Sequence, residues 1–144
     1  MSVSVKIEID SAKLARELNK TQAEISRDIK RSLRKTAQFG NQIIQERTAK
    51  GVGYTGKFKP YSEGYQKVRA KRGRKIAPVN LDFTGKMLGS IAARLTSKTQ
   101  AEIYFTRGPE AEKAAFNNKS RPFFGFNMKE RDRLQRFFNK EFAK

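Results

Sequence analysis

Residues 11–47 read SAKLARELNKTQAEISRDIKRSLRKTAQFGNQIIQER, and this stretch decides the architecture of the chain. Its apolar residues recur at spacings of four, seven or close to it, as in an amphipathic helix. They are Leu14, Leu18, Ile25, Ile29, Leu33, Ala37 and Ile44. Asp10 and Ser11 both favour a helix N-terminus. The pattern predicts one helix over residues 11–47, roughly 55 Å long at 1.5 Å per residue.

Gly40 is the weak point of this helix, because glycine costs up to about 1 kcal/mol relative to alanine inside a helix. It indicates a bend or close packing, or else the segment is two helices that break near Gly40. One continuous helix over residues 11–47 would be longer than a chain of 144 residues needs for its own core. Such a helix often packs on another subunit.

The segments that flank the helix predict a small sheet. Apolar and polar residues alternate at the start of the chain, which is typical of a strand with one buried face. The apolar members are Val3, Val5, Ile7 and Ile9. Residues 91–96 and 101–106 predict two further strands, joined by a turn over residues 97–100.

The C-terminal part predicts two helices. Residues 109–118 favour a short helix, and Asn127 precedes a longer one whose Glu130 can reach back to the capping amide. The apolar stripe of the last helix consists of Leu134, Phe137, Phe138 and Phe142. The prediction is an α+β fold in a single domain over residues 1–144. A long N-terminal helix and a C-terminal amphipathic helix pack on a small antiparallel sheet, with a long basic loop.

The excess of basic residues indicates which class of partner the protein binds. The chain has 32 Lys and Arg against 14 Asp and Glu, a formal net charge of +18, so an anionic partner is expected, with nucleic acid the first candidate. Cys and His are both absent from the sequence, which excludes thiol nucleophiles, disulfides and Cys/His zinc sites. We therefore expect that the protein is not an enzyme and binds no cofactor and no metal.

The N-terminal residues contain no apolar run typical of a signal peptide or a membrane span, which predicts a cytosolic protein without a membrane partner.

Residues 50–80 predict a flexible basic loop, in which residues 62–72 favour a short helix capped by Ser62. Glu63 is the only acidic residue between Lys50 and Lys75. The candidate contacts with DNA phosphates or an acidic partner are Lys57, Lys59, Lys67, Arg69, Lys71, Arg72, Arg74 and Lys75. Tyr61 and Tyr65 would stack on bases or pack under the loop. The alternative is a solvated loop that only keeps the protein soluble.

Two motifs suggest chemistry that their contexts argue against. The glycines at 51, 53 and 56 match the dinucleotide-binding pattern, but that mechanism needs a preceding strand and a helix that starts at the last glycine. Here a helix precedes them, so they predict a loop. Asp82 and Glu102 are the candidate carboxylates for a metal-dependent nuclease, yet scattered carboxylates are usually solvated or paired with nearby bases. A nuclease remains the third hypothesis.

The segment Arg121-Pro122-Phe123-Phe124-Gly125-Phe126 comes directly before the closing helix. Pro122 restricts the approach of the chain and Gly125 permits a turn. Three Phe in four positions favour the docking point of the last helix, with a partner-binding surface as the alternative.

At this motif the order of segments resembles the phage virion morphogenesis family, the tail completion and neck proteins of tailed bacteriophages. The resemblance covers most of the chain. It is carried by the long N-terminal helix, by Gly56-Lys57-Phe58-Lys59-Pro60-Tyr61 with Tyr65 and Lys67, by Leu81 with Thr84-Gly85-Lys86-Met87-Leu88 and Ile91, and by Arg121-Pro122-Phe123-Phe124-Gly125. One departure is Lys113-Ala114-Ala115-Phe116-Asn117-Asn118-Lys119, where many such proteins have Tyr-Ala-x-x-His/Gln-x-Gly.

The resemblance implies a non-catalytic homo-oligomer, commonly a hexameric ring, in the neck or tail of the virion. Such a ring is assembled in the host bacterial cytoplasm and caps the tail tube or joins the tail to the head. Its implied partners are neighbouring neck, portal-adaptor or tail-tube proteins and packaged double-stranded DNA. The main alternative from composition is a general nucleic-acid-binding protein without sequence preference, whose binding would depend steeply on salt.

Overall fold

The computed structural model describes residues 4–18, 21–82 and 84–144. Its helices are α1 (Ser11–Leu18), α2 (Gln22–Ala49), α3 (Glu63–Lys71), α4 (Lys86–Gly89), α5 (Gly108–Ser120) and α6 (Met128–Phe142). Its strands are β1 (Ser4–Glu8), β2 (Val52–Gly53), β3 (Gly56–Lys57), β4 (Ile91–Leu95) and β5 (Gln100–Phe105). Val3, predicted for the first strand, lies outside the described residues, as do the side chains of Leu14 and Leu18.

The predicted α+β fold is confirmed. β1, β5 and β4 form an antiparallel sheet in that order, with Ile7 opposite Ala101 and Ala93 opposite Ile103. α2 packs against β4 and β5 and also against α6. The core between these layers is apolar, and its fully buried members include Ile25, Ile29, Leu33, Ala37, Ile44, Ile103 and Phe123.

The prediction of one helix over residues 11–47 is wrong, because α2 starts anew at Gln22. Thr21 has an extended backbone, and its hydroxyl accepts a hydrogen bond from the Glu24 amide at 3.2 Å. The Glu24 carboxylate in turn accepts one from the Thr21 amide at 3.4 Å. This reciprocal capping box satisfies amides that would otherwise lack partners at the helix start, so it favours a boundary here.

Gly40 lies inside α2, so the alternative of a break near Gly40 is also wrong. A Cβ at this position would lie 2.9 Å from Ile103 Cδ1 and 2.9 Å from Phe126 Cζ. The glycine therefore lets the helix approach the sheet and the start of α6 closely. Close packing, which the sequence allowed as one reading of Gly40, is what this contact describes.

The basic segment at 50–80 is more regular than the expected loop. β2 and β3 pair as a short hairpin directly after α2, and α3 follows within the same segment. The predicted helix capped by Ser62 is confirmed: the Ser62 hydroxyl accepts a hydrogen bond from the Tyr65 amide at 3.3 Å. The cap at Asn127 is also confirmed, with Glu130 N and Asn127 Oδ1 2.8 Å apart.

Candidate functional site

Residues 121–125 dock on the β2–β3 hairpin. Phe123 and Phe124 are buried and contact the ring of Phe105, with centroid distances of 6.5 and 4.9 Å. The Tyr54 amide donates to the Pro122 carbonyl at 3.1 Å. Gly125 lies against Tyr54, since a Cβ there would be 2.7 Å from Tyr54 Cε1. The two Phe rings thus belong to the core, whereas Arg121, Pro122 and Gly125 are half-buried.

Arg121 connects this segment with the region before α3. Its Nε donates to the Lys59 carbonyl at 3.0 Å and its Nη2 to the Pro60 carbonyl at 2.9 Å. The guanidinium carbon also lies 5.1 Å from the ring centroid of Tyr61, within cation–π range. Two of the segments that carry the family resemblance, 56–61 and 121–125, are therefore joined directly.

Arg47, near the end of α2, holds the same segment from the other side. It donates to the Phe123 carbonyl at 2.8 Å, to the Gly125 carbonyl and to the Glu130 carboxylate. From the sequence, Arg47 was expected only as the end of the long helix. No sequence signal identifies it, because its partners lie 76 to 83 residues further along the chain.

A groove of about 800 Å³ opens beside the Arg121 cluster. Its walls are mainly apolar and come from the start of α3, from residues 81–88 and from α5. The residues that define it are Tyr61, Tyr65, Leu81, Met87, Phe116 and Arg121. Segments 56–61, 81–88 and 121–125 are separate in sequence, yet each contributes to these walls.

Two residues that the sequence did not indicate as part of a binding surface give this groove its character. Phe116 on α5 is 74% exposed, although a large apolar side chain gains from burial. Glu110 is 3% exposed; one carboxylate oxygen accepts from Lys113 at 3.3 Å, and Oε2 has no hydrogen-bond partner among the described residues. An exposed aromatic side chain in a mainly apolar groove is typical of a surface that another molecule covers.

The predicted basic contacts fall into two groups. Seven of the eight side chains are exposed, namely Lys57, Lys59, Lys67, Lys71, Arg72, Arg74 and Lys75. Arg69 is 1% exposed, so its assignment as a contact with DNA or an acidic partner is corrected. A buried guanidinium is not accessible to an anion on the surface.

Arg69 instead organises the end of α3. Its Nε donates to the Lys75 carbonyl at 2.6 Å and its Nη2 to Asn80 Oδ1 at 3.2 Å. Its guanidinium carbon lies 4.8 Å from the centroid of the Tyr61 ring. Burial raises the pKa of Tyr61, against the opposing effects of the hydrogen bond from the Leu81 amide and of the Arg69 charge. Both the arginine and the tyrosine therefore act inside the fold.

The two carboxylates considered for catalysis have different surroundings. Glu102 on β5 pairs with Arg94 at 2.9 Å, whereas Asp82 lines the groove. Within residues 4–18, 21–82 and 84–144 there is no group of three or more His, Cys, Asp or Glu that could hold a metal ion. The glycines at 51–56 lie in the hairpin after α2, and the next helix starts only at Glu63, so the geometry of a dinucleotide site is missing.

The site thus consists of an apolar groove beside an exposed basic surface, an arrangement suited to binding macromolecules. Among the helices that are described, none combines the length and the apolar character needed to cross a lipid bilayer. Comparison with protein-family models, with curated proteins and with solved structures finds no match to this chain.

Proposed function

We propose that this chain is a structural virion protein of a tailed bacteriophage, which forms a ring at the neck or at the end of the tail tube. As a tail completion protein, tail terminator or head–tail connector, it would join head to tail. One observation carries the proposal. Three of the four segments behind the family resemblance meet at one groove, where Arg121 donates to the carbonyls of Lys59 and Pro60.

This convergence strengthens the resemblance. Short motifs that match by chance have no reason to occupy one part of a fold, whereas motifs that build one surface do. The contacts of Arg121 and of the Pro122 carbonyl join parts of the fold to one another. The proposal is accordingly a protein that acts by assembly, without chemistry of its own.

The groove is the surface on which we expect a neighbouring copy to pack. Ring formation buries a patch of each subunit, and aromatic side chains contribute most strongly at the centres of such interfaces. Phe116 and Tyr65, 74% and 38% exposed, both line the groove.

The test is the mass of the purified protein in solution at moderate and high salt, after removal of nucleic acid, followed by negative-stain imaging. A closed ring with an open centre supports the proposal. A strict monomer at every concentration, which also fails to join purified neck or tail-tube proteins, contradicts it.

A general nucleic-acid-binding protein is the second candidate, favoured by the exposed cations between Lys67 and Lys75. It predicts a monomer that binds bare DNA without sequence preference and never forms a ring. The same mass measurement, repeated with duplex DNA added, separates the two candidates.

A further inference from the structure

We infer that the end of α3 is a binding surface for the phosphate backbone of double-stranded DNA. We call it the α3 surface and define it by Lys67, Lys71, Arg72 and Lys75. This inference assigns the contact with DNA to one defined surface of the fold, and it does not require that the ring forms. It differs from the expectation of a flexible basic loop, because the surface is an ordered part of the fold.

The first observation is unneutralised charge. Lys67 and Lys71 are four residues apart on α3, so they lie on the same face of the helix, and both are exposed. None of the four cations of the α3 surface forms an ion pair with a residue in the described ranges. Glu63, at the opposite end of α3, is the only carboxylate between Lys50 and Leu81. The four cations of the α3 surface repel one another. Their combined positive potential therefore attracts a polyanion strongly.

The second observation is that the backbone holds these cations in place. After α3 the chain turns at Gly73, whose φ of 68° is in the left-handed region that favours glycine. The Arg74 amide then donates to the Arg69 carbonyl at 2.8 Å. The Arg69 side chain closes the same turn through the Lys75 carbonyl at 2.6 Å. An ordered surface loses less conformational entropy on binding than a disordered tail would.

Arg69 closes this turn without forming an ion pair to a carboxylate. It lies against the rings of Tyr61 and Tyr65, 4.8 and 5.8 Å from their centroids, and no described carboxylate pairs with it. The fold therefore keeps its positive charge below the surface instead of neutralising it. Arg69 is a positioning residue for the α3 surface and does not itself contact the phosphates.

Duplex DNA fits this surface better than a protein carboxylate cluster does. It presents one charge per about 1.7 Å of helix axis, a regular array that accepts cations in many registers and needs no matching pocket. The α3 surface contains no module that reads base edges, so binding without sequence preference is expected. An acidic protein is the other possible partner, and the experiment below distinguishes it.

The experiment compares two triple variants of the full chain. Lys67→Gln/Lys71→Gln/Arg72→Gln removes cations from the α3 surface. Lys129→Gln/Arg136→Gln/Lys140→Gln removes two Lys and one Arg from exposed positions of α6, which packs on α2. The net charge changes equally in the two variants, so only the location of the lost charge differs. Affinity for a duplex of about 30 base pairs is measured at several salt concentrations, and thermal unfolding verifies that both variants fold.

For the wild-type chain we expect log K to fall linearly with log[salt]. The α3 variant should bind at least about tenfold more weakly near 0.1 M salt, with a slope reduced by up to about 3, since each lost phosphate contact removes about 0.9. The α6 variant should change affinity less than about threefold. Equal losses in the two variants, or no duplex binding by the wild-type chain, would overturn the inference.

Two further measurements distinguish DNA binding from binding to an acidic protein and from ring formation. Polyglutamate, added at the same total charge as the duplex, should compete only weakly with DNA for the α3 surface. If polyglutamate displaces the DNA completely, the surface binds acidic proteins and the inference is wrong. Oligomeric mass is measured on the same samples. A ring that does not bind duplex overturns only this inference, whereas a monomer that binds duplex through the α3 surface supports it and favours the second candidate function over the proposed ring.

Discussion

The guanidinium of Arg47 and the carboxylate of Glu130 pair at 2.8 Å between the end of α2 and the first turn of α6, with each side chain 11% exposed. The other oxygen of Glu130 accepts from the Asn127 amide at 3.0 Å. One carboxylate thus caps α6 and anchors α2, while Arg47 also binds the carbonyls of residues 123 and 125. The position of residues 121–125, and with it one wall of the groove, depends on this pair.

We therefore expect Arg47→Met to lower the free energy of unfolding by about 3–5 kcal/mol, because it leaves Glu130 and two carbonyls unpaired in a largely buried place. Urea denaturation provides the measurement. The control is Arg94→Met, which removes an ion pair with Glu102 whose arginine side chain is 53% exposed and should cost about 1 kcal/mol or less. Equal effects of the two substitutions would contradict the role given to Arg47.

Gly53→Ala and Gly64→Ala should change stability in opposite directions. A Cβ at Gly53 would overlap the Pro122 carbonyl oxygen, so this substitution should destabilise the protein by about 3 kcal/mol. A Cβ at Gly64, in the first turn of α3, meets nothing within 4 Å and should stabilise it by up to about 1 kcal/mol. The midpoint of thermal unfolding measures both, and a tolerated Gly53→Ala would mean that residues 121–125 are not docked on the hairpin.

Phe116→Ser tests whether the groove is a subunit contact. Loss of an aromatic side chain at the centre of an interface should weaken self-association about tenfold or more, with little change in the stability of the subunit. Met128→Ser is the matched control, since Met128 is 70% exposed and is not part of the groove. Sedimentation velocity over a range of concentrations gives the association constants. If Met128→Ser weakens assembly as much as Phe116→Ser, the groove is not the contact.

Arg69→Met should loosen the α3 surface without removing an exposed charge. The apolar stem is kept, but the bonds to the Lys75 carbonyl and Asn80 are lost. We expect faster hydrogen exchange at the amides of residues 73 and 74, which donate to carbonyls of α3, and faster trypsin cleavage after Lys71 and Arg72. Unchanged protection at these amides would show that Arg69 does not order the turn.

Glu141 should make the free energy of unfolding depend on pH under acidic conditions. Hydrogen bonds from Lys144 at 2.9 Å and Lys35 at 3.3 Å lower the pKa of this carboxyl. Since the unfolded chain binds this proton more tightly, the stability that Glu141 confers is complete above the ordinary pKa of about 4.3 and is lost as the pH falls through the lower pKa of the folded state. Glu141→Gln should flatten this part of the curve of unfolding free energy against pH. A curve that Glu141→Gln leaves unchanged would contradict this role of Glu141.

The main elements followed from local pattern. The period of the apolar residues in α2 and α6, the alternation in β1 and the caps at Ser62 and Asn127 were all readable in sequence, because neighbours along the chain decide them. The start of α2 after its cap Thr21 was missed, although Thr21 and Glu24 have capping-box spacing. Apolar residues recur at spacings of four and seven on both sides of that boundary, and for this reason the pattern predicted one helix.

By itself the sequence determined the fold class, the excess of positive charge and the absence of Cys and His chemistry, since these depend on composition and on residues close together along the chain. Only the tertiary structure decided which cations are available and where the motifs meet. Arg69 and Arg72 are alike in composition, yet Arg69 is buried against Tyr61 and Arg72 is exposed. The groove exists because chain folding brings residues 61 and 121 together, and burial and long-range contact are properties that residue order alone does not contain.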